Sequence, residues 1–526
     1  MTTDTDPPAA PPASPGTALR PPVAAAIGVL AVGMALAAGD LVAALVAPPS
    51  SPFLAVGNQF IRLTPEPLKE FATSTFGVHD KQVLLAGMAV VITVVAALGG
   101  LLSRRTPVPG LTLVVVLGLV GATCAAAAPT FTMDFLAAPA VALVAGAATF
   151  AGLHRLARRD ATAGPDPEND QGARRRLLLG LGAALAGAGV VGFFGRHLAA
   201  AAGAEASREA VGPLPSPAGT PVVPPPAADF AASGTTTWLT PNDQFYRIDT
   251  ALQVPQVSTS DFTLRIHGMV DREITLTYDQ LRGRRLLQAP ITMACVSNDV
   301  GGNLISNAMF LGVPLRDLLA EAGVKAGANQ IASTSVDGFT TGTPVAACTD
   351  GRNAMLALGM NGQPLPVEHG FPVRMVVPGL YGYVSGCKWI TDIELTTFGA
   401  FQPYWEQRGW AQQGPVKTQS RIDVPQAQAA VTAGRVTVAG TAWAQHRGIA
   451  RVEVRADSGP WQTAELAADA SIDTWRMWRT VLDLGRGDHT LEVRATDATG
   501  ATQPSMTSPT IPDGATGWHT VTVTAS

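Results

Sequence analysis

Apolar residues crowd the first two hundred positions of the chain and alternate with polar ones after that. Five long apolar runs lie near 23–47, 82–102, 111–128, 135–153 and 177–198. Each is close to the ~20 residues a helix needs to cross a hydrocarbon core. Five such runs in succession, with short polar joins, predict a bundle of five transmembrane helices over 21–200 rather than buried helices of a soluble domain. The Pro, Ala and Thr of residues 1–20 have little to bury and predict a disordered tail.

Basic residues orient the bundle. Arg104 and Arg105 follow the second run, Arg155, Arg158 and Arg159 follow the fourth, and Arg174, Arg175 and Arg176 precede the fifth. Alternating spans put these joins on one side, and the positive-inside rule makes that side cytoplasmic. The expected location is therefore a multi-pass cell-membrane protein, in contact with lipid, whose chain after about residue 200 is extracytoplasmic. The stretch "ARRRLLLGLGAAL" also looks like a twin-arginine export signal, although a plain basic anchor reads the same way. Asp40 lies within the first run, where an ionisable side chain is a functional candidate.

A Pro/Ala-rich stretch over 201–235 predicts an extended linker that holds the outer part off the membrane. Beyond it, "FTLRIHGMV" and "EITLT" alternate as half-buried strands do, and "QIASTSV" and "FPVRMVVPG" read as further strands. In "GVPLRDLLAEAGV", Leu315, Leu318, Leu319 and Ala322 share one helical face. These elements predict an α+β domain over 236–410. From 418 to 526, "GRVTVAGTAW", "IARVEVRAD", "TWRMWRTVLDL" and "HTLEVRATD" recur at regular spacing and predict an immunoglobulin-like β-sandwich.

Composition agrees with membrane content: 47% of the 526 residues are hydrophobic and 14% charged. A net charge of −4 argues against nucleic acid as a partner. The four cysteines, Cys124, Cys295, Cys348 and Cys387, show no metal-finger or redox spacing. A Cys348–Cys387 disulfide or two lone thiols both fit. Cys295 stands apart, because "CVSNDVGGN" follows it with polar and glycine residues suited to a close backbone approach.

Four segments in order carry a resemblance. They are "TPNDQFYRID" (Thr240–Asp249), "CVSNDVGGNLISNAMFLGVPLRDLL" from Cys295, "NGQPLPVEHGFPVRMVVPGLYGYVSGCKW" (Asn361–Trp389), and the strands after residue 418. Together they resemble the sulfite oxidase-like family of molybdopterin-dependent oxidoreductases, whose carboxy-terminal domain dimerises. The resemblance implies a molybdenum–molybdopterin cofactor, with the Cys295 thiolate as the one protein ligand to the metal. It implies cofactor contacts from Asn242, Phe245, Tyr246, Ser335, Asp337, His369, Arg374, Gly386, Cys387 and Lys388. Arg374 suits a phosphate, since a guanidinium makes forked, charge-assisted hydrogen bonds.

The chain also departs from that family. Where sulfite oxidases continue the cysteine loop with arginines, Asp299 and Val300 follow Asn298. Trp410 takes the position of the active-site tyrosine, and Arg247 lies about one residue from the anion-binding arginine of the leading segment. These changes imply an altered anion pocket, with Asp299 at the mouth, and a neutral or cationic substrate for oxygen-atom transfer. Sulfite-like oxidation and sulfoxide-like reduction both remain open. No haem motif is present, so electrons would pass to a separate carrier or to quinone. The competing expectation is a cofactor-free cell-surface binding protein that keeps the fold.

Overall fold

The computed structural model describes residues 18–526 apart from 66–67, 69–70, 72–74, 77–79, 129–130, 163–174, 177, 191–202 and 220–221. The chain divides into two compact units, Met1–Ala201 and Ala202–Ser526.

The first unit is helical: α1 (Pro21–Val46), α2 (Pro52–Leu63), α3 (Asp80–Leu102), α4 (Val108–Ala126), α5 (Ala137–Thr162) and α6 (Leu178–Val190). Among the described residues four helices, not five, are long and apolar enough to cross a membrane: Pro21–Val46, Lys81–Leu102, Val108–Ala126 and Met133–Arg159. The fifth expected run is described only in part, as the shorter α6, and the rest of 177–198 lies outside the described residues, as do most of the 1–20 tail and Arg174. Small residues let the helices touch. A Cβ on Gly28 would lie 2.0 Å from the Ala96 carbonyl oxygen, and one on Gly100 would lie 2.0 Å from that of Ala24. Backbones approaching this closely are how helices pack where no hydrophobic effect drives them together.

Hydrogen bonds gather the arginine-bearing joins at one end of this bundle. Arg104 Nε donates to Leu19 O at 2.9 Å, and Arg158 Nη1 donates to Arg105 O at 3.2 Å. His154 Nε2 lies 2.8 Å from Ser103 O. Near the other end of α1, the Ser51 hydroxyl donates to the Asp40 carboxylate.

The second unit opens with a segment expected to be an extended stalk, and the structure corrects that. Residues 203–219 and 222–235 lie on the domain that follows. A short helix, α7 (Ala204–Val211), buries Ala204 and Val211 in the α+β core. Arg208 Nε donates to Leu365 O at 2.9 Å. Further along, Ala218 N donates to Leu286 O at 2.9 Å and Val222 N to Gln288 Oε1 at 3.0 Å.

Two sheets form the α+β part. The first takes the order β2-β1-β10-β5-β6 from β1 (Thr263–Gly268), β2 (Ile274–Thr277), β5 (Gln330–Ser335), β6 (Thr340–Pro344) and β10 (Ile390–Thr396). The second runs β3-β4-β7-β8, from β3 (Leu287–Ala294), β4 (Ile305–Pro314), β7 (Met355–Met360) and β8 (Gln363–Pro364), with β9 (Arg374–Val376) also pairing with β7. Only three residues of "FPVRMVVPG" are strand, because the flanking prolines have no N–H to give a ladder. The helix expected from its apolar face forms over Leu315–Ala322 and buries Leu315, Leu318, Leu319 and Ala322. Gly323 ends it in the left-handed region at φ 71°.

The remaining residues form a β-sandwich. One sheet takes the order β11-β13-β17-β16, from β11 (Gln419–Val424), β13 (Gly434–Trp443), β16 (Glu465–Leu466) and β17 (Arg476–Leu484). The other runs β12-β19-β18-β14-β15, from β12 (Ala430–Val431), β14 (Ile449–Ala456), β15 (Gln462–Thr463), β18 (Gly487–Asp497) and β19 (His519–Ala525). Alternate residues of both sheets, among them Val436, Val438, Val452, Val454, Trp478, Leu491, Val493 and Val521, make one core between them.

Candidate active site

A cleft opens in the α+β part. Cys295, immediately after the end of β3, lines it together with Phe245, Tyr246, Ser335, Asp337, His369, Arg374, Gly386 and Lys388. Four separate chain segments, at 245–246, 295, 335–337 and 369–388, thus bring most of the sequence-predicted site to one place.

Turn hydrogen bonds set the Cys295 loop. Cys295 N donates to Leu304 O at 2.9 Å and Asn298 N donates to Cys295 O at 3.1 Å. The buried Asn298 side chain closes the loop by accepting from Leu304 N at 2.7 Å. Gly301 takes φ 76°, a left-handed conformation that suits glycine.

The opposite wall is built on the leading segment. Asn361 Nδ2 donates to Thr240 O at 2.9 Å and to Asn242 Oδ1 at 2.8 Å. His369 Nε2 donates to Asn242 O at 3.0 Å, which fixes the ring with its proton on Nε2. Phe245 packs edge-on against His369, with ring centroids 5.3 Å apart, and stacks on Tyr246 at 5.4 Å.

Two buried cations face into this space. Arg374 Nη1 donates to His369 O at 3.2 Å, while its buried Nε has no partner. Lys388 Nζ donates to Asp249 Oδ2 at 3.0 Å and to Glu368 O at 3.2 Å. Burial draws Arg374 down to about 10 and, against the pull of Asp249, Lys388 down to about 8. Burial also pushes the Asp337 carboxyl up, against a hydrogen bond from Ser335. The Cys295 thiol is raised by burial, although hydrogen bonds from Ser297 pull it down. Burial, then Arg374 and Lys388, push His369 down to about 3.

The depressed His369 makes stability depend on pH. Between about 6.5 and 3 the unfolded chain takes up a proton that folded His369 refuses, so stability is full above 6.5 and falls as pH drops through that window. At pH 4.5 the loss is on the order of 2–3 kcal/mol. His369→Gln should therefore show a shallower fall in urea midpoint between pH 7 and pH 4.5 than the wild type.

The structure places other expected residues differently. Arg247, expected to face substrate, is absent from the cleft lining, and its Nε donates to Asp249 Oδ2 at 2.9 Å. The carboxylate two residues further on captures it. Asp299, expected at the mouth, is exposed and outside the lining. Asn242 acts through its carbonyl and Asn361 rather than lining the cleft. Cys387 is buried in the core, and it and Cys348 are free thiols, so no disulfide joins them. Trp410 does line the cleft, beside Phe339, Tyr383 and Trp405. The Trp405 and Trp410 rings meet edge-on at 6.1 Å, and the buried Trp410 Nε1 has no partner. Sequence reasoning missed Asp249 and this aromatic wall. Asp249 was visible in "TPNDQFYRID", but nothing in the sequence marked it as the partner of a lysine 139 positions away.

Residues 251–405 match the oxidoreductase molybdopterin binding domain, and residues 411–526 match the Mo-co oxidoreductase dimerisation domain. The chain belongs to the sulfite oxidase-like molybdopterin-dependent oxidoreductases. Among this family's members it is similar to mitochondrial sulfite oxidase of Mus musculus, 29% identical over 321 residues, covering 52% of this chain and 58% of that one. It is 29% identical over 324 residues to sulfite oxidase of Gallus gallus, covering 52% and 69%. It is also 33% identical over 171 residues to the NADH nitrate reductase of Solanum lycopersicum, covering 27% and 19%. The chain therefore spans less than two thirds of the mouse relative's length. A solved structure, the sulfane dehydrogenase SoxCD of Paracoccus pantotrophus, aligns with a TM-score of 0.47 at 24% identity over 54% of this chain and 80% of that one.

The side chains present fit the cofactor that this family carries. A soft sulfur donor lines one wall, and two buried cations, one with an orphaned Nε, lie in the same cleft where an anionic phosphate would satisfy them.

Proposed function

We propose that this chain is a membrane-anchored, extracytoplasmic oxidoreductase that moves an oxygen atom and two electrons to or from a small uncharged organic substrate. The observation that carries the reading is the pairing of the Cys295 sulfur with Arg374 and Lys388 in one cleft. Molybdenum–molybdopterin, when bound, supplies the oxygen-atom and electron-pair exchange.

The chain's own residues divide the work. Cys295 would ligate the metal, whose charge keeps the sulfur deprotonated despite burial. Arg374 and Lys388 would hold the cofactor's phosphate. Neutral His369, with its Nε2 proton committed to Asn242, orients the wall under Tyr246 without adding charge. Phe339, Tyr383, Trp405 and Trp410 wall the outer end and exclude water. Asp249 spends its charge on Lys388 and Arg247. No arginine besides Arg374 lines the cleft among the described residues. Once the cofactor phosphate occupies Arg374 and Lys388, little positive charge remains for an anion such as sulfite. A substrate panel with artificial electron donors and acceptors tests this. Turnover of sulfoxides or thioethers above sulfite supports it, and preferred sulfite oxidation overturns it. Trp410→Arg should lower the KM for sulfite about tenfold, the value of one charge-assisted hydrogen bond.

The four apolar helices, with the fifth run as the last crossing, would anchor the unit, and the arginines gathered at one end of the bundle support a cytoplasmic placement of that end. The β-sandwich would form a homodimer, and electrons would leave through a separate carrier or quinone. Export of a cofactor-loaded domain would suit Arg174–Arg176 as a twin-arginine signal. Met506 is 80% exposed. In intact cells, Met506→Cys should react with a membrane-impermeant maleimide while the wild type does not. Labelling only after lysis would reverse the orientation.

A further inference from the structure

The carboxy-terminal β-sandwich grips the Cys295 loop from both flanks. Upstream, β3 is an edge strand, and its outer side is bonded to the sandwich: Thr292 N donates to Asp473 O at 3.0 Å. Gln445 Nε2 donates to Thr292 O at 3.2 Å, and the Thr292 hydroxyl accepts from Trp475 N at 2.8 Å. Downstream, Arg421 of β11 reaches into the loop, where its Nη1 donates to Gly302 O at 2.8 Å. Asp423 steadies that guanidinium from the same strand, with Arg421 Nε donating to Oδ1 at 2.6 Å. Both side chains are only 11% exposed.

His519 of β19 completes the grip. Its Nδ1 accepts from Ile422 N at 3.0 Å, which ties one sheet of the sandwich to the other. The ring edge rests on Gly301. A Cβ there would lie 2.2 Å from His519 Cδ2 and Nε2, so only glycine lets the imidazole come so close. Within the loop, Asn298 then fixes Leu304, and Leu304 O holds Cys295 N. The chain of contacts runs from the sandwich to the backbone of Cys295.

We infer that Arg421 and His519 are positioning residues for the Cys295 loop, and that the sandwich sets the placement of the Cys295 sulfur as well as serving as a dimerisation domain. For catalysis, this rests on the reading of Cys295 as the metal ligand. The grip itself does not.

The test uses the full chain expressed without molybdopterin, in detergent, and follows alkylation of each cysteine by iodoacetamide and peptide mass spectrometry. Arg421→Gln should speed alkylation of Cys295 at least about tenfold, the factor one lost charge-assisted hydrogen bond gives to loop opening. Arg421→Lys, which can still donate to Gly302 O, should restore much of the protection. Gly301→Ala should speed the reaction with Arg421 intact. Cys348 and Cys387, buried in the α+β core, report global folding and should stay unreactive. If Arg421→Gln unfolds the domain, so that Cys348 reacts too, Gly301→Ala carries the test. Unchanged Cys295 reactivity in the folded variants overturns the inference. A parallel measurement of the sulfur shell around molybdenum in loaded Cys295→Ser separates the two readings: faster alkylation in Arg421→Gln with a sulfur shell unchanged in Cys295→Ser keeps the grip and removes the ligand assignment.

Discussion

Cys295→Ser is expected to give a folded protein with no measurable oxygen-atom transfer. The backbone around position 295 is held by Leu304 O and Asn298 N, not by the side chain, so exchanging sulfur for oxygen leaves the loop in place. What changes is the donor. A hydroxyl is harder and far less acidic than a thiol, and it does not replace a thiolate on a soft metal. The measurement is turnover with an artificial donor or acceptor beside the thermal unfolding curve. Full turnover in the variant would remove Cys295 from the mechanism.

Arg374→Met should move two quantities in opposite directions. In the cofactor-free protein Arg374 is 5% exposed with an unpartnered Nε, so an apolar side chain of similar length there is neutral or stabilising. In the loaded protein the same change removes a charge-assisted hydrogen bond of about 1.5–3 kcal/mol, or roughly 10–150-fold in retention. A raised or unchanged Tm without cofactor, together with faster cofactor loss, is the expected pair. A lowered apo Tm with unchanged retention would make Arg374 a structural cation.

Much of the site was legible in the sequence because the family resemblance carried it, not because its residues announce their chemistry one by one. Cys295 stood out by its glycine loop, and His369, Arg374 and Lys388 came in one continuous segment. What failed was pairing across the fold. Arg247 read as a substrate cation because its neighbour Asp249 gave no sign of capturing it. Trp405 and Phe339 come from two loops and Tyr383 from a short helix over Gly382–Ser385, and only the folded chain assembles them into a wall. The Pro/Ala-rich stretch was misread for a related reason. Extended, proline-rich backbone looks the same in sequence whether it is solvated or laid along a domain, and single contacts such as Val222 N to Gln288 decide between them. The α+β strands and the helix over Leu315–Ala322 were readable from period alone. The grip of Arg421 and His519 on Gly301 and Gly302 had no sequence signal, because Arg421 and Gly302 lie 119 positions apart and His519 lies further still from Gly301.

The central claim is that the cleft holds molybdenum through Cys295. Metal analysis and molybdenum-edge X-ray absorption of the purified chain, expressed in a host that makes the cofactor, test it most directly. About one molybdenum per chain is expected, with one sulfur fewer around the metal in Cys295→Ser than in the wild type. A wild-type protein that folds yet retains no molybdenum, or a sulfur shell unchanged by the substitution, would contradict it.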